Sequence, residues 1–273
     1  NGTLALQIAY RALGIKGEVI TTPFTYVATA SSMIWENLNP VFVDIDSETF
    51  NLDPKNIEAA ITRKTTAIVP VHVFGNACAV DEIQKIADKH NLKVVYDAAH
   101  AFGTQYNEKS LLEYGDASIL SFQATKVFNT AEGGAIIFKN KDDFLRAKAL
   151  SQIGYLDPLQ EPVLGINAKM NDLEAALGNA ILDEFSELSA KRRFVVDQYN
   201  EHLNGKVQIQ KFIDGKGNGR HHDKEDHITR CRQAEKTAAV LFVNDGGQKV
   251  CRKSGSASRH APHQIEGPES ADE

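Results

Sequence analysis

Between residues 18 and 138 the chain alternates two hydrophobic periods. Short runs rich in β-branched residues stand at 18–21 (EVIT), 41–45 (VFVDI), 67–71 (AIVPV), 93–96 (KVVY), 118–122 (SILSF) and 134–138 (GAIIF). Several are apolar without a break, as strands buried on both faces are. Between them, residues 3–13, 28–36, 57–61 and 80–90 carry apolar positions at helical spacing. Strand–helix alternation with short loops predicts an α/β fold, a mostly parallel sheet sandwiched by helices. After Phe138 the pattern turns helical, and 170–203, rich in Ala, Leu and Glu, predicts one long helix or two. No internal repeat is evident.

Near residue 218 this regularity stops. Residues 219–273 hold a single aromatic, Phe242, of the 21 in the chain, and five of its nine histidines. One apolar run, 237–243 (TAAVLFV), predicts a strand. From 249 onward Ser, Gly, Pro and charge bury too little apolar surface to offset the entropy of ordering. The expected organisation is therefore a large domain over 1–165, a helical segment over 166–218, and an atypical, largely disordered tail over 219–273. The chain also opens at Asn1 without a methionine, as a fragment does.

With 42% hydrophobic and 24% charged residues, the chain can build one sizeable core. A net charge of −6 gives no reason to expect nucleic acid or an anionic membrane as the main partner. No run of about eighteen apolar residues is present to span a bilayer, and no signal peptide is visible. Cys78, Cys231 and Cys251 form neither a CxxC pair nor a disulfide framework, which fits a reducing, cytoplasmic compartment.

In an open α/β sheet the chemistry sits just beyond the carboxyl ends of strands. The fourth run ends Asp97-Ala-Ala-His100; Asp97 is either a carboxylate facing a cleft or a helix N-cap. Lys126 follows the fifth run among apolar neighbours, where an amine can lose hydration and act as a nucleophile; an isolated loop lysine is ordinarily just exposed. Glu132-Gly133-Gly134 permits close backbone approach, or marks only a turn into the sixth run. Asn1-Gly2-Thr3 opens a helix and offers amides and a hydroxyl to an anion, or a plain cap. His72, at the end of the third run, reads as a packed polar residue. The tail residues His221, His222, His227 and Cys231 have no spacing typical of zinc ligands, and no metal site is expected.

In order, Asn-Gly-Thr, Thr-Pro-Phe-Thr-Tyr, Asp-Ala-Ala-His, Ser-Phe-x-x-Thr-Lys, Glu-Gly-Gly and Gly-x-Asn-x-Lys-Met make a specific constellation. Over residues 1–218 the chain resembles the DegT-type nucleotide-sugar aminotransferases, pyridoxal-phosphate (PLP) enzymes of fold type I. The resemblance implies roles. Lys126 matches the lysine that holds PLP covalently and then shuttles the substrate proton. Asp97 matches the carboxylate that keeps the pyridine nitrogen protonated. Tyr26 matches the aromatic residue stacked on the ring. Gly2, Thr3 and Ser121 match phosphate ligands, and His100 stands where many relatives carry Gln, near the phenolic oxygen. Asn167 matches an asparagine that reaches the cofactor phosphate of the neighbouring subunit, which implies a homodimer.

The implied activity is amino transfer, from glutamate or a similar donor, to a nucleotide-linked keto-6-deoxy sugar, dTDP-linked, for surface polysaccharide or secondary-metabolite sugars. Gln123 replaces a common His, and Lys169 a common Arg. The family carries further residues before Asn-Gly-Thr and a small domain after 218. Residues 219–273 do not resemble that domain and read as a changed frame or a wrong splice. Two alternatives share the fold. A sugar dehydratase would carry His in place of Lys126. A non-catalytic remnant or binding module would suit the atypical ends.

Overall fold

The computed structural model describes residues 1–154, 163–213 and 239–242, the last four as backbone. Helix α1 (Gly2–Ala12) leads into strand β1 (Glu18–Thr21), helix α2 (Val27–Trp35) and strand β2 (Asn39–Phe42). A short helix α3 (Ile57–Ala60), strand β3 (Thr65–Ile68), helix α4 (Val80–His90) and strand β4 (Lys93–Asp97) follow. A small hairpin, β5 (Gln105–Tyr106) and β6 (Lys109–Ser110), precedes β7 (Ala117–Ser121), β8 (Gly134–Phe138) and helices α5 (Lys141–Ser151) and α6 (Asp172–Leu203). Strand β9 (Ala239–Phe242) completes a seven-stranded sheet of order β2-β1-β3-β4-β7-β8-β9. The pairs from β2 through β7 are parallel, while β8 runs antiparallel to both β7 and β9.

The unbroken apolar runs have a simple cause. Ile20, Ile68, Val94, Tyr96, Leu120 and Ile137 join one buried cluster, with Ile83 of α4 and Phe185 of α6. Their neighbours Val19, Val69, Val95, Ile119 and Ile136 join the other, with Leu6 and Tyr10 of α1, Met33 of α2 and Leu150 of α5. Successive side chains point to opposite faces of a strand, so a sheet covered on both sides needs apolar residues at both parities.

The third run ends early as a strand. Pro70 has no amide to donate, so the regular ladder stops at Ile68. The chain continues through a single bridge between Val71 and Asp97. The β5–β6 hairpin has no counterpart in the hydrophobic pattern. Its turn residues Asn107 and Glu108 both take positive φ, as a tight hairpin turn requires.

The 170–203 stretch is one helix, opened by a capping box in which Asn171 and Glu174 satisfy each other's amides. Residues 206–213, which follow it, are not helical. Lys211 donates its amide to Glu48, Gln208 reaches the Ser47 carbonyl at 2.7 Å, and Ile213 donates to Asn76 Oδ1 at 3.0 Å. The strand foreseen in 237–243 forms over Ala239–Phe242 and pairs with β8. The tail histidines and Cys231 lie outside the described residues, as do Cys251 and the stretch from 249 onward. Among the described residues no helix is long and apolar enough to cross a membrane, and no group of His, Cys, Asp or Glu is placed to hold a metal.

Candidate active site

The strand order reverses between β1 and β3, where open α/β sheets leave a crevice beyond their carboxyl ends. A cavity of about 730 Å³ opens there, within the roughly 300–1,000 Å³ of small-molecule sites. The start of α1, the residues after β1, β3 and β4, and the turn after β7 all contribute to its wall.

Asp97 ends β4, and its backbone is held from both sides: its amide donates to Pro70 and its carbonyl accepts from His72. The side chain is 6% exposed. Thr29 Oγ1 donates to Oδ2 at 2.7 Å, and the Ala99 amide donates to Oδ1 at 3.1 Å. Asp97 thus makes a local turn contact and also faces the cavity. Each oxygen keeps acceptor capacity for a cationic partner.

Gly2 and Ser121 meet directly. A Cβ on Gly2 would stand 2.9 Å from Ser121 Cβ and 3.4 Å from its Oγ, so only glycine lets α1 approach the end of β7. Asn1 caps the helix by accepting from the Leu4 amide. The first-turn amides at Gly2 and Thr3 have no intrahelical acceptor, and with the Thr3 and Ser121 hydroxyls they make a cradle of hydrogen-bond donors on the cavity wall.

Lys126 sits on the turn after β7, its amide donating to Gln123. Phe122 and Phe128, both buried, meet edge to face at 4.8 Å beneath it, and Phe128 stacks on Phe102 at 4.3 Å. The turn therefore stands on an aromatic base. Tyr26 precedes α2 in extended conformation and is 75% exposed, its ring left for the cavity. His100 lies at the accessible rim, yet its neighbours lower its pKa by removing water and, next, through the Lys126 cation; the Asp97 carboxylate opposes them. One imidazole therefore feels both Lys126 and Asp97.

Gly2, Thr3, Tyr26, Asp97, His100, Ser121 and Lys126 all line this one cavity. Asn167 does not. It is exposed, forms an isolated bridge with Gln152, and lines an adjoining cleft of about 260 Å³ with Met170 and Glu174, a cleft that shares Asn1 and Glu132 with the first. Sequence reasoning passed over Thr29, although it follows Tyr26 by three residues and so shares its side of α2. It also gave no role to Phe24 or Phe74, which line the cavity at 43% and 63% exposure.

A profile of the DegT/DnrJ/EryC1/StrS aminotransferase family matches residues 1–247. The match runs past residue 218, where sequence motifs had placed the end of the resemblance, and takes in β9. The chain is 53% identical over 178 residues to dTDP-4-amino-4,6-dideoxy-D-glucose transaminase of Shigella dysenteriae, covering 65% of this chain and 48% of that protein. It is 41% identical to GDP-perosamine synthase of Caulobacter vibrioides, covering 74% of this chain and 56% of the other. Among solved structures, DesI with its TDP-sugar product superposes with a TM-score of 0.72 at 42% identity, over 75% of this chain and 52% of DesI. The PLP form of a putative sugar aminotransferase from Streptococcus pneumoniae gives 0.70 at 30% identity, over 75% and 58% of the two chains. The chain thus spans about half the length of the curated relatives it matches. The chain belongs to the DegT/DnrJ/EryC1/StrS aminotransferase family.

Proposed function

We propose that this chain carries the cofactor-binding part of a PLP-dependent aminotransferase. It moves an amino group, from glutamate, to a keto-6-deoxy sugar linked to a nucleotide, with dTDP as the favoured carrier. The observation that carries this reading is the convergence of Lys126, Asp97 and the Gly2–Ser121 cradle in one cavity. The donor set fits the group: a helix N-terminus with two hydroxyls for a phosphate, a buried carboxylate for a pyridinium, and an amine for an aldehyde.

When bound, PLP supplies an aldehyde for amines and a ring that draws electrons from the carbon losing its proton. Gly2, Thr3 and Ser121 would hold the phosphate. Asp97, fixed by Thr29 and the Ala99 amide, would keep a proton on the ring nitrogen by presenting a negative charge there. Tyr26 would cover one face of the ring, and His100 would stand near the phenolic oxygen. Lys126 would anchor the cofactor through Nζ and, once displaced by substrate, take and return the substrate proton with the same nitrogen. Asn167, exposed and outside this cavity, suits service to a second copy across a dimer interface. The buried free thiol of Cys78 suits a reducing, cytoplasmic setting.

The test is Lys126→Ala. The chain incubated with PLP should show the absorbance of a lysine-bound cofactor, and borohydride should fix the cofactor to it. Both should vanish in Lys126→Ala while its circular dichroism is unchanged. A borohydride-fixed adduct retained in the variant would refute the assignment.

A further inference from the structure

Phe74 lines the cavity with 63% of its surface exposed, yet its backbone is tightly fixed. It takes φ 55 and ψ 24, the left-handed region, where a bulky residue is an outlier that the surroundings must hold in place. The holding groups are identifiable. Asn51, 1% exposed, accepts from the Val73 amide at 3.0 Å, and its Nδ2 donates to the carbonyls of Ala77 at 2.8 Å and Asn76 at 3.3 Å. Gln210 donates to the Val73 carbonyl at 3.1 Å and the Thr49 carbonyl at 2.6 Å. The Cys78 amide donates to His72 Nδ1 at 3.1 Å. Gly75 lies against the other wall, for a Cβ there would stand 2.8 Å from the His100 carbonyl oxygen.

Core packing does not account for this arrangement, because a ring left mostly in water gains little from burial. The ring is instead shaped by neighbours that leave one side open. Phe24 meets it edge to face at 6.5 Å, and His100 lies nearly parallel to it at 6.0 Å. The floor of the cavity is taken by the cradle, Asp97 and Lys126. A second ligand must bring its reacting carbon to Lys126, so the far end of a nucleotide-sugar, its base, falls at the rim. Bases offer a flat π-face, and aromatic side chains bind them by stacking.

We propose that Phe74 is the stacking surface for the base of the nucleotide-linked acceptor, and that Asn51 is the positioning residue that holds it there. The proposal rests on the aminotransferase reading and makes the 72–78 loop the reader of the nucleotide end. Asn51 acts only through Phe74 and contacts no ligand.

The test is calorimetric titration of the full, PLP-incubated chain with dTDP, GDP and inorganic pyrophosphate. The tighter of the two nucleotides should bind better than pyrophosphate. Phe74→Ala should weaken that nucleotide about 10-fold and leave pyrophosphate unchanged, while Phe74→Tyr retains it. Asn51→Ala should reproduce the Phe74→Ala loss although it removes no atom from the cavity wall. Gln210→Ala, which releases the Val73 carbonyl where Asn51→Ala releases the Val73 amide, should show a smaller loss of the same kind and serves if Asn51→Ala does not fold. The lysine-bound cofactor absorbance should be the same in every folded variant, so its absence speaks against the cofactor reading and not against the stacking. Nucleotides binding no better than pyrophosphate, or unchanged by Phe74→Ala, would overturn the stacking. Full nucleotide affinity in a folded but less stable Asn51→Ala or Gln210→Ala would overturn the positioning role.

Discussion

His72 makes the stability of this fold sensitive to mild acid, by an amount that can be worked out. The residue is fully buried, and burial alone depresses its pKa from 6.5 to about 3. Its ring stacks on Tyr96 at 4.6 Å and 10°. Nδ1 accepts from the Cys78 amide, which places the proton of the neutral ring on Nε2. A second proton would have to enter at Nδ1, facing another donor. Nearby Cys78 and Tyr96 do not compensate, because burial pushes the thiol and the phenol up and keeps both neutral.

The sign follows from proton counts. Below pH 6.5 the unfolded chain binds a proton at this histidine, and the folded chain does not until about pH 3. The contribution is therefore complete above the unfolded pKa and is lost progressively as pH falls toward 3. At 1.36 kcal/mol per unit the full loss is about 5 kcal/mol, and from about pH 7 to about pH 5 it is about 2 kcal/mol. The perturbation is His72→Asn, whose side-chain oxygen can still accept from the Cys78 amide but cannot titrate. Urea unfolding followed by circular dichroism gives the stabilities. The variant should be less stable at pH 7, because the ring stack is gone, and the gap should narrow by about 2 kcal/mol at about pH 5. Carboxylates and the other histidines are common to both chains and cancel in the difference. A gap that is constant over that pH span would refute the reasoning.

Two further substitutions probe the floor of the cavity. Gly2→Ala should push α1 away from Ser121, cost about 1–3 kcal/mol of stability as overpacking does, and weaken PLP uptake in an absorbance titration; uptake equal to the parent chain would show that the cradle is not where phosphate sits. Thr29→Val removes the buried donor to Asp97 Oδ2 and should cost about 1.5–3 kcal/mol in urea unfolding, with Thr29→Ser close to the parent chain. An unchanged unfolding midpoint in Thr29→Val would show that the contact contributes nothing.

The sheet was legible in sequence because a strand covered on both sides writes itself as an unbroken apolar run, as several of the six did; all six became strands, the edge strand β2 staying exposed or half-buried. Their ends were less legible. The third run's regular strand ended at Ile68, with only the single Val71–Asp97 bridge beyond it, for Pro70 cannot donate whatever the apolarity around it. The β5–β6 hairpin was missed because strands of two residues have no period to read; only the turn at Asn107 betrayed it. The segment over 208–213 was grouped with the helical segment over 166–218, beyond the helix expected over 170–203. Its place is fixed by hydrogen bonds to residues about 160 positions earlier in the chain, and no local pattern encodes such partners.

The site divides along the same line. Asp97, Lys126 and the helix start at Asn1-Gly2-Thr3 could be picked out as candidates because they stand at or just past the end of a strand, or at the start of a helix, where open sheets leave a crevice, whereas Ser121 was singled out by the family resemblance alone; the structure puts Gly2, Asp97, Ser121 and Lys126 on one cavity. Thr29 and Asn51 work one step behind them and look, in sequence, like any helix threonine or turn asparagine. Their value comes from burial: a hydroxyl at 0% exposure against a carboxylate at 6%, and an amide at 1% whose oxygen and nitrogen are both used. Removing either side chain leaves its partners buried without a donor or acceptor, so the loss falls on the residues they hold. For Thr29 that residue is the one that would set the charge beneath the cofactor ring. For Asn51 it is the ring at the rim. A cavity whose floor and rim are held by separate buried polar groups can lose one function and keep the other, and Thr29→Val and Asn51→Ala are therefore expected to separate cofactor effects from nucleotide effects in one chain.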